Sequence, residues 1–516
     1  MRPPFPQPAA QTAHVTLHTD FHRGIIDRRL FGSFVEHMGR CVYSGIYEPG
    51  HSRADPWGFR KDTAELIEEL GVTLVRYPGG NFVSGYDWLD GVGPVDQRRR
   101  RLDLAWRSIE TNEVGPDEFL PWARRMNLEP MMAVNLGTKG VAEAAALVEY
   151  CNVEENTCYA DLRRAHGAEA PHNVKLWCLG NEMDGQWQIG HKDADDYGKL
   201  AAEAGKAMRQ VDPTIELVAC GSSNREMATF GDWERIVLEH TWDVADYVSM
   251  HAYYDGRQPR SDFLASGWRM DRFIRDVIAI ADAVSARRRS DKIMKISFDE
   301  WNVWSSRSDN LPGPPTRIAS APRISEEPYQ ALDAVVVGDL LISLLNHSDR
   351  VTVACLSLLV NVSAPIMTER GGGVVRQTIF HPMAATARLA QGNSLMPMID
   401  CGQVSTAKYG DMPALSVAAS HDSGSGTMAV FLVNRSDADL PVSICIADAK
   451  PVSVLSARTV GSTGSESAEV RTGVDSPRPR RLTDCRIVEG RLVTALEPGS
   501  WSSIVLHVGH PSGNSA

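Results

Sequence analysis

Short apolar runs alternate with amphipathic segments over most of the chain. The runs have the length of strands, and the segments between them carry apolar residues at three- and four-residue spacing, which is typical of helices. We predict strands at residues 30–37, 73–80, 131–138, 174–182, 215–223, 245–254, 295–301 and 351–361. The clearest helical segments between them are 62–71, 141–151, 193–211 and 271–289. Strand and helix alternating in this way eight times predict a (β/α)8 TIM barrel of the α/β class.

An open, doubly wound α/β sheet is the alternative to a barrel. Such a sheet normally carries a GxGxxG fingerprint directly after its first strand, where the glycines let the backbone approach a dinucleotide. That fingerprint is absent after residues 30–37. The barrel is therefore the favoured fold.

The pattern changes near residue 390. Beyond it the helical spacing stops, and short β-rich runs such as 414–420, 427–435 and 501–509 are separated by Gly, Ser, Asp and Pro. This pattern predicts a C-terminal β-sandwich. The segment 14–27 alternates like a strand, so we expect the start of the chain to join the sandwich. The predicted domains are residues 1–28 as that joining segment, 29–388 as the catalytic barrel and 389–516 as the β-sandwich.

Polar residues follow most of the predicted barrel strands. Active sites of such barrels lie at the C-terminal ends of the strands, so these residues are the candidates for chemistry. They are Glu36, His37, Arg76, Asn81, Asn181, Glu182, His251, Tyr253, Asp299, Glu300, Trp301, Asn302, Asn361, Arg376 and Gln377.

Two carboxylates, Glu182 and Glu300, come at the ends of the fourth and seventh predicted strands. Each alone is readily explained as an ion-paired residue at the barrel rim. A pair surrounded by Asn, Tyr, Arg and Trp at one barrel mouth favours a catalytic role. Glycoside hydrolysis needs two such groups, one protonated to assist the leaving oxygen and one ionised to attack or stabilise the anomeric carbon.

Two other classes remain open at this point. His37 and His251 with nearby carboxylates are the basis for a metal-dependent barrel hydrolase, although neither HxH on the first strand nor HExxH occurs. A non-catalytic carbohydrate-binding barrel is the third reading, and the presence of both Glu182 and Glu300 disfavours it. Phosphate-binding loops and a GxSxG nucleophile turn are absent, which disfavours phosphoryl transfer and esterase chemistry.

Composition narrows the set of partners. The 516 residues carry a net charge of −12, so neither nucleic acid nor an anionic membrane is an expected partner, because both select basic surfaces. The start of the chain, MRPPFPQPAAQTAH, has no apolar core of signal-peptide length, and no apolar run is long enough to span a membrane. Nine scattered cysteines without a CxxC pair point to buried thiols. We therefore expect a cytoplasmic enzyme.

Five motifs carry a resemblance to a known family. They are FGSFVEHMGRCVYSGIYEPG, RYPGGNFVSGYDWLDGVGP, LGNEMDGQWQIG, DEWNVW and RQTIFHP, and they occur in this order along nearly the whole chain. Together they closely resemble the α-L-arabinofuranosidases of glycoside hydrolase family 51. The resemblance implies a retaining mechanism, a sandwich of jelly-roll type, an oligosaccharide substrate, a homo-oligomer that is commonly a hexamer, and no metal or organic cofactor.

The resemblance also implies roles for single residues. Glu182 in LGNEMDG corresponds to the general acid/base and Glu300 in DEWNVW to the nucleophile. The residues expected to hold the substrate or the nucleophile are Asn181 at the 2-hydroxyl, Arg76 and Tyr253 at the carboxylate of Glu300, and Glu36, Asn81 and Gln377 at the remaining furanose hydroxyls.

Two positions depart from the family pattern, and one of them, Gln186, concerns the leaving-group side. Tyr77 stands where Trp is frequent, and Gln186 stands where Pro is frequent, next to Trp187. Trp187 is expected either to stack a neighbouring sugar or to pack under its loop. The linkage that is cleaved, α-1,2, α-1,3 or α-1,5, does not follow from the sequence. A β-xylosidase or an endo-β-glucanase of the same family is the alternative activity.

Overall fold

A computed structural model describes residues 12–305, 318–461 and 473–509 of the chain. Its centre is a closed barrel of parallel strands that follow one another around the barrel in chain order. The barrel strands are Gly32–Phe34, Leu74–Tyr77, Glu129–Ala133, Leu176–Leu179, Glu216–Ala219, Tyr247–Tyr254, Lys295–Val303 and Val351–Leu356. All of the predicted strands are present, which confirms the (β/α)8 barrel.

Several predicted strands extend too far at their C-terminal ends. The fourth strand ends at Leu179, so Asn181 and Glu182 lie in the loop that follows it. The seventh strand is the exception, since it continues through Glu300 to Val303. In the sequence, the residues just past a buried strand look like a continuation of that strand. In the structure they make no strand hydrogen bonds, because the chain has already turned into the loop at the barrel mouth.

Helices cover the outside of the barrel. The α-helices are Lys61–Leu70, Pro116–Arg125, Val141–Asn152, Cys158–Ala165, Ala194–Val211, Asp232–Thr241, Arg260–Leu264, Ser266–Arg288, Ala331–Leu345 and Phe380–Leu389. The four helical segments named from the sequence are confirmed. Asp193 begins one of them by accepting a hydrogen bond from the backbone N–H of Asp196 at 2.8 Å, as an N-cap residue does. Among the described residues, no helix is both long and apolar enough to cross a membrane.

Two antiparallel-rich sheets form the predicted β-sandwich. In spatial order, the five-stranded sheet consists of Met398–Asp400, Ala13–Leu17, Leu440–Ile446, Arg491–Leu496 and Cys485–Val488. The seven-stranded sheet consists of His22–Ile25, Asn393–Leu395, Leu415–Asp422, Thr427–Asn434, Ser500–Gly509, Lys450–Gly461 and Arg480–Arg481. Apolar side chains from both sheets form a core separate from that of the barrel. The domain limits 29–388 and 389–516 stay predictions, and both chain ends, residues 1–11 and 510–516, lie outside the described residues.

Three two-stranded hairpins complete the strands. They are Arg101–Asp103 with Ser108–Glu110, Ile366–Thr368 with Val374–Arg376, and Gln403–Thr406 with Gly410–Pro413. The first hairpin carries Trp106 on its loop and brings it to the barrel mouth. Short 3-10 helices at Asn81–Gly85, Trp88–Gly91 and Val95–Gln97 follow the second barrel strand, whereas Arg28–Phe31 directly precedes the first barrel strand at the opposite end of the barrel.

The helix Ala331–Leu345 joins the barrel to the sandwich. Nearly all of its residues are buried, because the barrel covers one side and the seven-stranded sheet covers the other. Gly338 lets Trp501 of the sandwich pack against the helix, since a Cβ atom at position 338 would come within 2.1 Å of the indole ring. Arg435 from the sandwich forms a buried ion pair with Asp339 of this helix at 2.8 Å.

Candidate active site

A cavity of about 430 Å³ opens at the C-terminal end of the barrel. Its polar wall includes Glu36, Asn81, Asn224 and the carboxylates Glu182 and Glu300. Aromatic side chains supply another part of the wall: Trp106, Trp187, Tyr253 and Trp304. Apolar side chains supply a third part: Phe34, Met38, Leu358 and Val362. A cavity with this mixture suits a sugar, whose hydroxyl groups need polar partners and whose C–H faces pack on aromatic rings.

Glu182 and Glu300 meet across this cavity, as their positions in the sequence predict. One carboxylate oxygen of each lies within 4.8 Å of the other. Glu182 reaches the cavity through a left-handed backbone turn, with φ of +46° at Glu182 and +90° at Gly180. Gly180 adopts its positive φ without steric cost, which allows the chain to reverse direction directly after the strand.

The carboxylate of Glu300 is held by two side chains named from the sequence. Arg76 donates to one oxygen at 2.8 Å, and the hydroxyl of Tyr253 donates to the other at 2.7 Å. Arg76 also donates to the side-chain oxygen of Asn181 at 2.6 Å, so the amide nitrogen of Asn181 faces Asn81, 3.4 Å from the oxygen of that residue. These four residues fix the orientation of the Glu300 carboxylate and present an amide donor beside it.

The carboxyl group of Glu182 has different neighbours. His251 approaches one oxygen through Nδ1 at 2.9 Å, and the indole N–H of Trp187 donates to the other at 2.6 Å. Burial raises the pKa of Glu182, and the negative charge of Glu300 adds to this, whereas His251 and Trp187 oppose it. The net effect is a raised pKa, which suits a group that must carry a proton near neutral pH.

His251 connects Glu182 and Glu300 to a third carboxylate, that of Asp299. Its Nε2 lies 3.2 Å from Asp299, and its Nδ1 lies 3.6 Å from Glu300. Burial lowers the pKa of His251, but the surrounding carboxylates Glu300, Asp299 and Glu182 outweigh burial and raise the pKa to about 10. The ring is therefore a cation at neutral pH. Sequence reasoning placed His251 and Asp299 at strand ends but did not find this bridge, because the contacts join different strands.

Glu36 occupies the opposite wall of the cavity. It accepts hydrogen bonds from the backbone N–H of Phe82 at 2.9 Å and from the indole N–H of Trp106 at 2.8 Å, both on Oε1. Burial raises the pKa of Glu36 to about 8, and the donors at Phe82 and Trp106 only partly oppose it. The other oxygen of Glu36 has no hydrogen-bond partner among the described residues and is available to a substrate hydroxyl.

Gln377, which was expected to hold a furanose hydroxyl, does not line the cavity. Its side-chain nitrogen donates to the backbone oxygens of Glu327 and Ala364, both at 2.9 Å, and its oxygen accepts from the backbone N–H of Tyr329 at 2.9 Å. The expected contact between Gln377 and a furanose hydroxyl is therefore corrected. All of its side-chain hydrogen bonds to the described residues go to backbone groups.

Other residues at the mouth were missed or left open by the sequence. Trp106, Asn224 and Trp304 lie on loops, where no periodic pattern marks them. Trp187 is 52% exposed and lines the cavity, which favours contact with a sugar over packing beneath its loop. Two groups of side chains have the spacing of metal ligands: Glu182 with His251 and Glu300, and His18 with Asp20 and Asp448.

The fold and the site together define a class of enzyme. Two carboxyl groups lie at the C-terminal mouth of a (β/α)8 barrel. That of Glu182 has a raised pKa, and that of Glu300 is held by Arg76 and Tyr253. This is the arrangement of a glycoside hydrolase. Comparison with known families places the protein within this class. Residues 66–268 match the α-L-arabinofuranosidase 1 domain, and residues 299–500 match the α-L-arabinofuranosidase C-terminal domain.

Individual relatives agree with these matches. An intracellular exo-α-(1→5)-L-arabinofuranosidase of Halalkalibacterium halodurans is 48% identical over 96% of this chain and 99% of its own length. An exo-α-(1→6)-L-arabinofuranosidase of Bifidobacterium longum is 52% identical over 83% of each chain. The solved structure of a family 51 α-L-arabinofuranosidase from B. longum superposes with a TM-score of 0.91 at 41% identity, covering 97% of this chain and 100% of that one. The chain belongs to the α-L-arabinofuranosidases of glycoside hydrolase family 51.

Proposed function

We propose that this protein is a retaining, exo-acting α-L-arabinofuranosidase that releases terminal, non-reducing α-L-arabinofuranosyl residues from arabino-oligosaccharides. The observation that carries the proposal is the short separation of Glu182 and Glu300, whose facing oxygens lie within 4.8 Å. Retaining enzymes keep their two carboxyl groups about 5–5.5 Å apart, whereas inverting enzymes leave room for a water molecule at about 6.5–9.5 Å. Because the highly identical relatives are arabinofuranosidases, we do not propose the β-xylosidase or endo-β-glucanase alternative.

In the first step, Glu300 attacks the anomeric carbon while Glu182 gives its proton to the departing oxygen. Arg76 and Tyr253 bind the attacking carboxylate and orient it, which reduces the entropy lost on reaching the transition state. The product of this step is a covalent arabinosyl-enzyme and a free leaving group. Burial and the charge of Glu300 raise the pKa of Glu182, which favours the protonated form that this step needs.

In the second step, Glu182 accepts a proton from water, which attacks the anomeric carbon and frees Glu300. Once Glu300 is esterified it no longer carries a negative charge, so one cause of the raised pKa of Glu182 disappears. His251, still cationic 2.9 Å away, stabilises the ionised form that acts as base. The same glutamate thus serves as acid and then as base because its neighbour changes charge between the steps.

Sugar recognition involves three further residues. The amide nitrogen of Asn181 lies beside Glu300 and is placed to donate to the 2-hydroxyl, where a hydrogen bond strengthens as charge develops on the ring. Glu36 and Asn81 also line the cavity and bind the remaining hydroxyls. We do not include Gln377 in this set, since the backbone uses its amide.

The linkage and the cellular setting complete the proposal. The relatives described above are named for α-(1→5) and α-(1→6) linkages. For this chain, the loop carrying Gln186 and Trp187 is the proposed determinant of linkage, because the side chain of Trp187 lines the cavity. We infer a cytoplasmic location, in keeping with the intracellular relative, and short oligosaccharides as substrates, because polymers do not enter cells. A homo-oligomer, a hexamer by resemblance to the family, is part of the same proposal.

The first test measures hydrolysis of 4-nitrophenyl glycosides by the purified protein without added metal. The panel contains the α-L-arabinofuranoside, the α-L-arabinopyranoside, the β-D-xyloside and the β-D-glucoside. We expect fast release from the α-L-arabinofuranoside alone. Release from the xyloside or the glucoside in its place contradicts the proposed activity, and loss of all activity after dialysis against a chelator contradicts the metal-free mechanism.

The roles of the two glutamates are tested with one substitution each. Glu300→Ala removes the nucleophile, so turnover of every substrate falls by at least about 10⁴-fold. Glu182→Ala spares the first step on substrates with acidic leaving groups, because these depart without a proton, and strongly slows it on oligosaccharides. Equal losses of the first step on both kinds of substrate would show that Glu182 is not the acid.

A further inference from the structure

A second, smaller cavity adjoins the active-site cavity. It has a volume of about 70 Å³, room for several water molecules or for one polar group of a sugar. Asn224, Glu226 and Tyr253 line both cavities. Tyr253 contacts Glu300 through its hydroxyl, so its ring separates the reacting centre from the second cavity. A substrate that leaves the first cavity over Asn224 and Glu226 therefore reaches the second one.

The chemistry of the second cavity differs from that of the first. Three arginines, Arg225, Arg269 and Arg272, line it, although the chain as a whole carries a net charge of −12. Aromatic rings support two of them. The guanidinium of Arg272 lies 4.8 Å from the ring centre of Trp268, and that of Arg269 lies 4.4 Å from the ring centre of Tyr409. Rings of this kind hold a guanidinium in place and leave its N–H edge free.

The positive charges are only partly neutralised. Arg225 pairs with Asp276, and Arg269 pairs with Glu226, each at 2.7 Å. Arg272 forms neither an ion pair nor a hydrogen bond with any residue in the described ranges. Its interaction with the ring of Trp268 therefore leaves its charge without a carboxylate partner among those residues. Arg269 and Arg272 are also three positions apart on one helix, where like charges repel each other. Three guanidinium groups against two carboxylates leave one positive charge for a ligand.

We propose that the cavity lined by Arg225, Trp268, Arg269, Arg272 and Tyr409, here named the arginine subsite, binds the carboxylate of a uronic acid in the leaving-group part of the substrate. The preferred substrates are then acidic oligosaccharides that carry a terminal arabinofuranosyl group. The inference rests on the proposed function, because the arabinofuranosyl group must occupy the neighbouring cavity.

Carboxylate is the ligand that this chemistry selects. Arginine presents two parallel N–H donors that match the two oxygens of a carboxylate, and such pairs are stronger than hydrogen bonds between neutral groups. The exposed part of the Trp268 ring gives the sugar carrying that carboxylate an apolar surface. A neutral sugar needs hydroxyl partners of both kinds, donors and acceptors, whereas Arg272 offers donors alone.

The test compares one oligosaccharide in two chemical forms. An arabinofuranosyl xylo-oligosaccharide with a glucuronic acid side group is used as it is and after reduction of its carboxyl group to the neutral sugar. 4-Nitrophenyl α-L-arabinofuranoside, which does not reach the arginine subsite, is the third substrate. The proteins are the wild type, Arg272→Gln and Arg287→Gln. Arg287 is the matched control, because it lies on the same helix, pairs with Glu239 and does not line the cavity.

We expect the wild type to hydrolyse the acidic form with a kcat/KM about tenfold above that of the reduced form, as a hydrogen bond to a charged group implies. This ratio falls to about one in Arg272→Gln and stays about tenfold in Arg287→Gln. Higher ionic strength lowers the ratio in the wild type, because salt screens an exposed charge pair. All three proteins hydrolyse the 4-nitrophenyl furanoside equally.

Two results overturn the subsite and are distinct from a failure of the proposed function. Equal kcat/KM on the acidic and reduced forms in the wild type overturns it, and so does a preference for the acidic form that persists in Arg272→Gln. In both cases the 4-nitrophenyl furanoside is still hydrolysed. If the wild type does not hydrolyse that furanoside, the proposed function itself is wrong, and the subsite falls with it.

Discussion

Replacing His251 with glutamine tests how the site assigns its proton. In the wild type, the cationic ring lies 2.9 Å from Glu182 and favours the ionised form of that carboxyl group. Glutamine is neutral, and its amide takes the approximate place of Nε2, which faces Asp299, so the substitution removes both the charge and the Nδ1 contact at Glu182. Without the cation, the pKa of Glu182 rises further. Since Glu182 must be protonated in the first step, the acid then stays active to higher pH.

The size of the shift follows from the contact distance. Two unit charges about 4 Å apart interact by about 4 kcal/mol at an effective dielectric constant near 20, which equals about three pKa units. Opposite charges at this range shift carboxyl groups by about one to three units in practice. We therefore expect the basic limb of the kcat/KM profile to move up by about one to three pH units. The maximal rate falls as well, because the second step loses the cation that stabilises ionised Glu182.

The assay is kcat/KM on a neutral arabino-oligosaccharide between pH 4 and 10 (roughly the range that brackets the titration of the acid). Tyr253→Phe is the control, since it removes a hydrogen bond to Glu300 without removing a charge, and we expect its basic limb to stay in place. Circular dichroism and thermal unfolding establish that both variants are folded. A basic limb that stays fixed or moves to lower pH in folded His251→Gln refutes the reasoning.

Three further predictions concern other contacts. Burial raises the pKa of Glu36 to about 8, and glutamine resembles the protonated form, so we expect kcat/KM of Glu36→Gln at pH 6 to stay within about threefold of the wild type. Glu36→Ala should lower kcat/KM by at least about tenfold, and equal losses in the two variants would contradict this explanation. Arg435→Ala strands the buried charge of Asp339 and costs about 3–5 kcal/mol, seen as a lower Tm, whereas the exposed control Arg486→Ala changes stability by less than about 0.5 kcal/mol. Trp187→Phe removes the indole N–H that donates to Glu182 at a half-exposed position, so we expect the basic limb of the kcat/KM profile to move up by less than about one pH unit. A larger shift than in His251→Gln would contradict the expectation that the charge of His251 has the greater effect.

The barrel could be predicted from the sequence because its strands are buried on both faces. Leu176–Leu179 is apolar throughout, and Val351–Leu356 is apolar except for Thr352. Asn181 lies two residues after the first of these strands, and Ser357 directly follows the second. The same rule found Glu182 and Glu300, since each belongs to the C-terminal end of its strand. Periodicity therefore predicted both the fold and the pair of carboxylates.

Residues on irregular loops could not be predicted in this way. Trp106 lies on a hairpin loop and donates a hydrogen bond to Glu36. The two residues are 70 positions apart, so no local sequence pattern predicts this contact. Gln377 shows the opposite error. It follows the last barrel strand in sequence, but the chain between them folds so that the backbone captures its amide. A position near a strand end predicts that a residue lies at the barrel mouth. Whether its side chain points into the cavity depends on the conformation of the loop, which the sequence pattern does not give.

The parallel pairing of the strand Ala13–Leu17 with Leu440–Ile446 has a consequence for synthesis of the chain. His14 pairs with Asp400 on one side and with Ser443 on the other, so 386 residues (400 − 14) separate it from its first partner and 429 (443 − 14) from its second. At about 5–20 residues per second the ribosome needs roughly 20–90 s for the longer stretch. For most of that time the strand has neither partner, while the barrel forms behind it. Because the helix Ala331–Leu345 also needs the late strand Ser500–Gly509 to cover it, a nascent chain that already holds every catalytic residue is still incomplete as a folded enzyme.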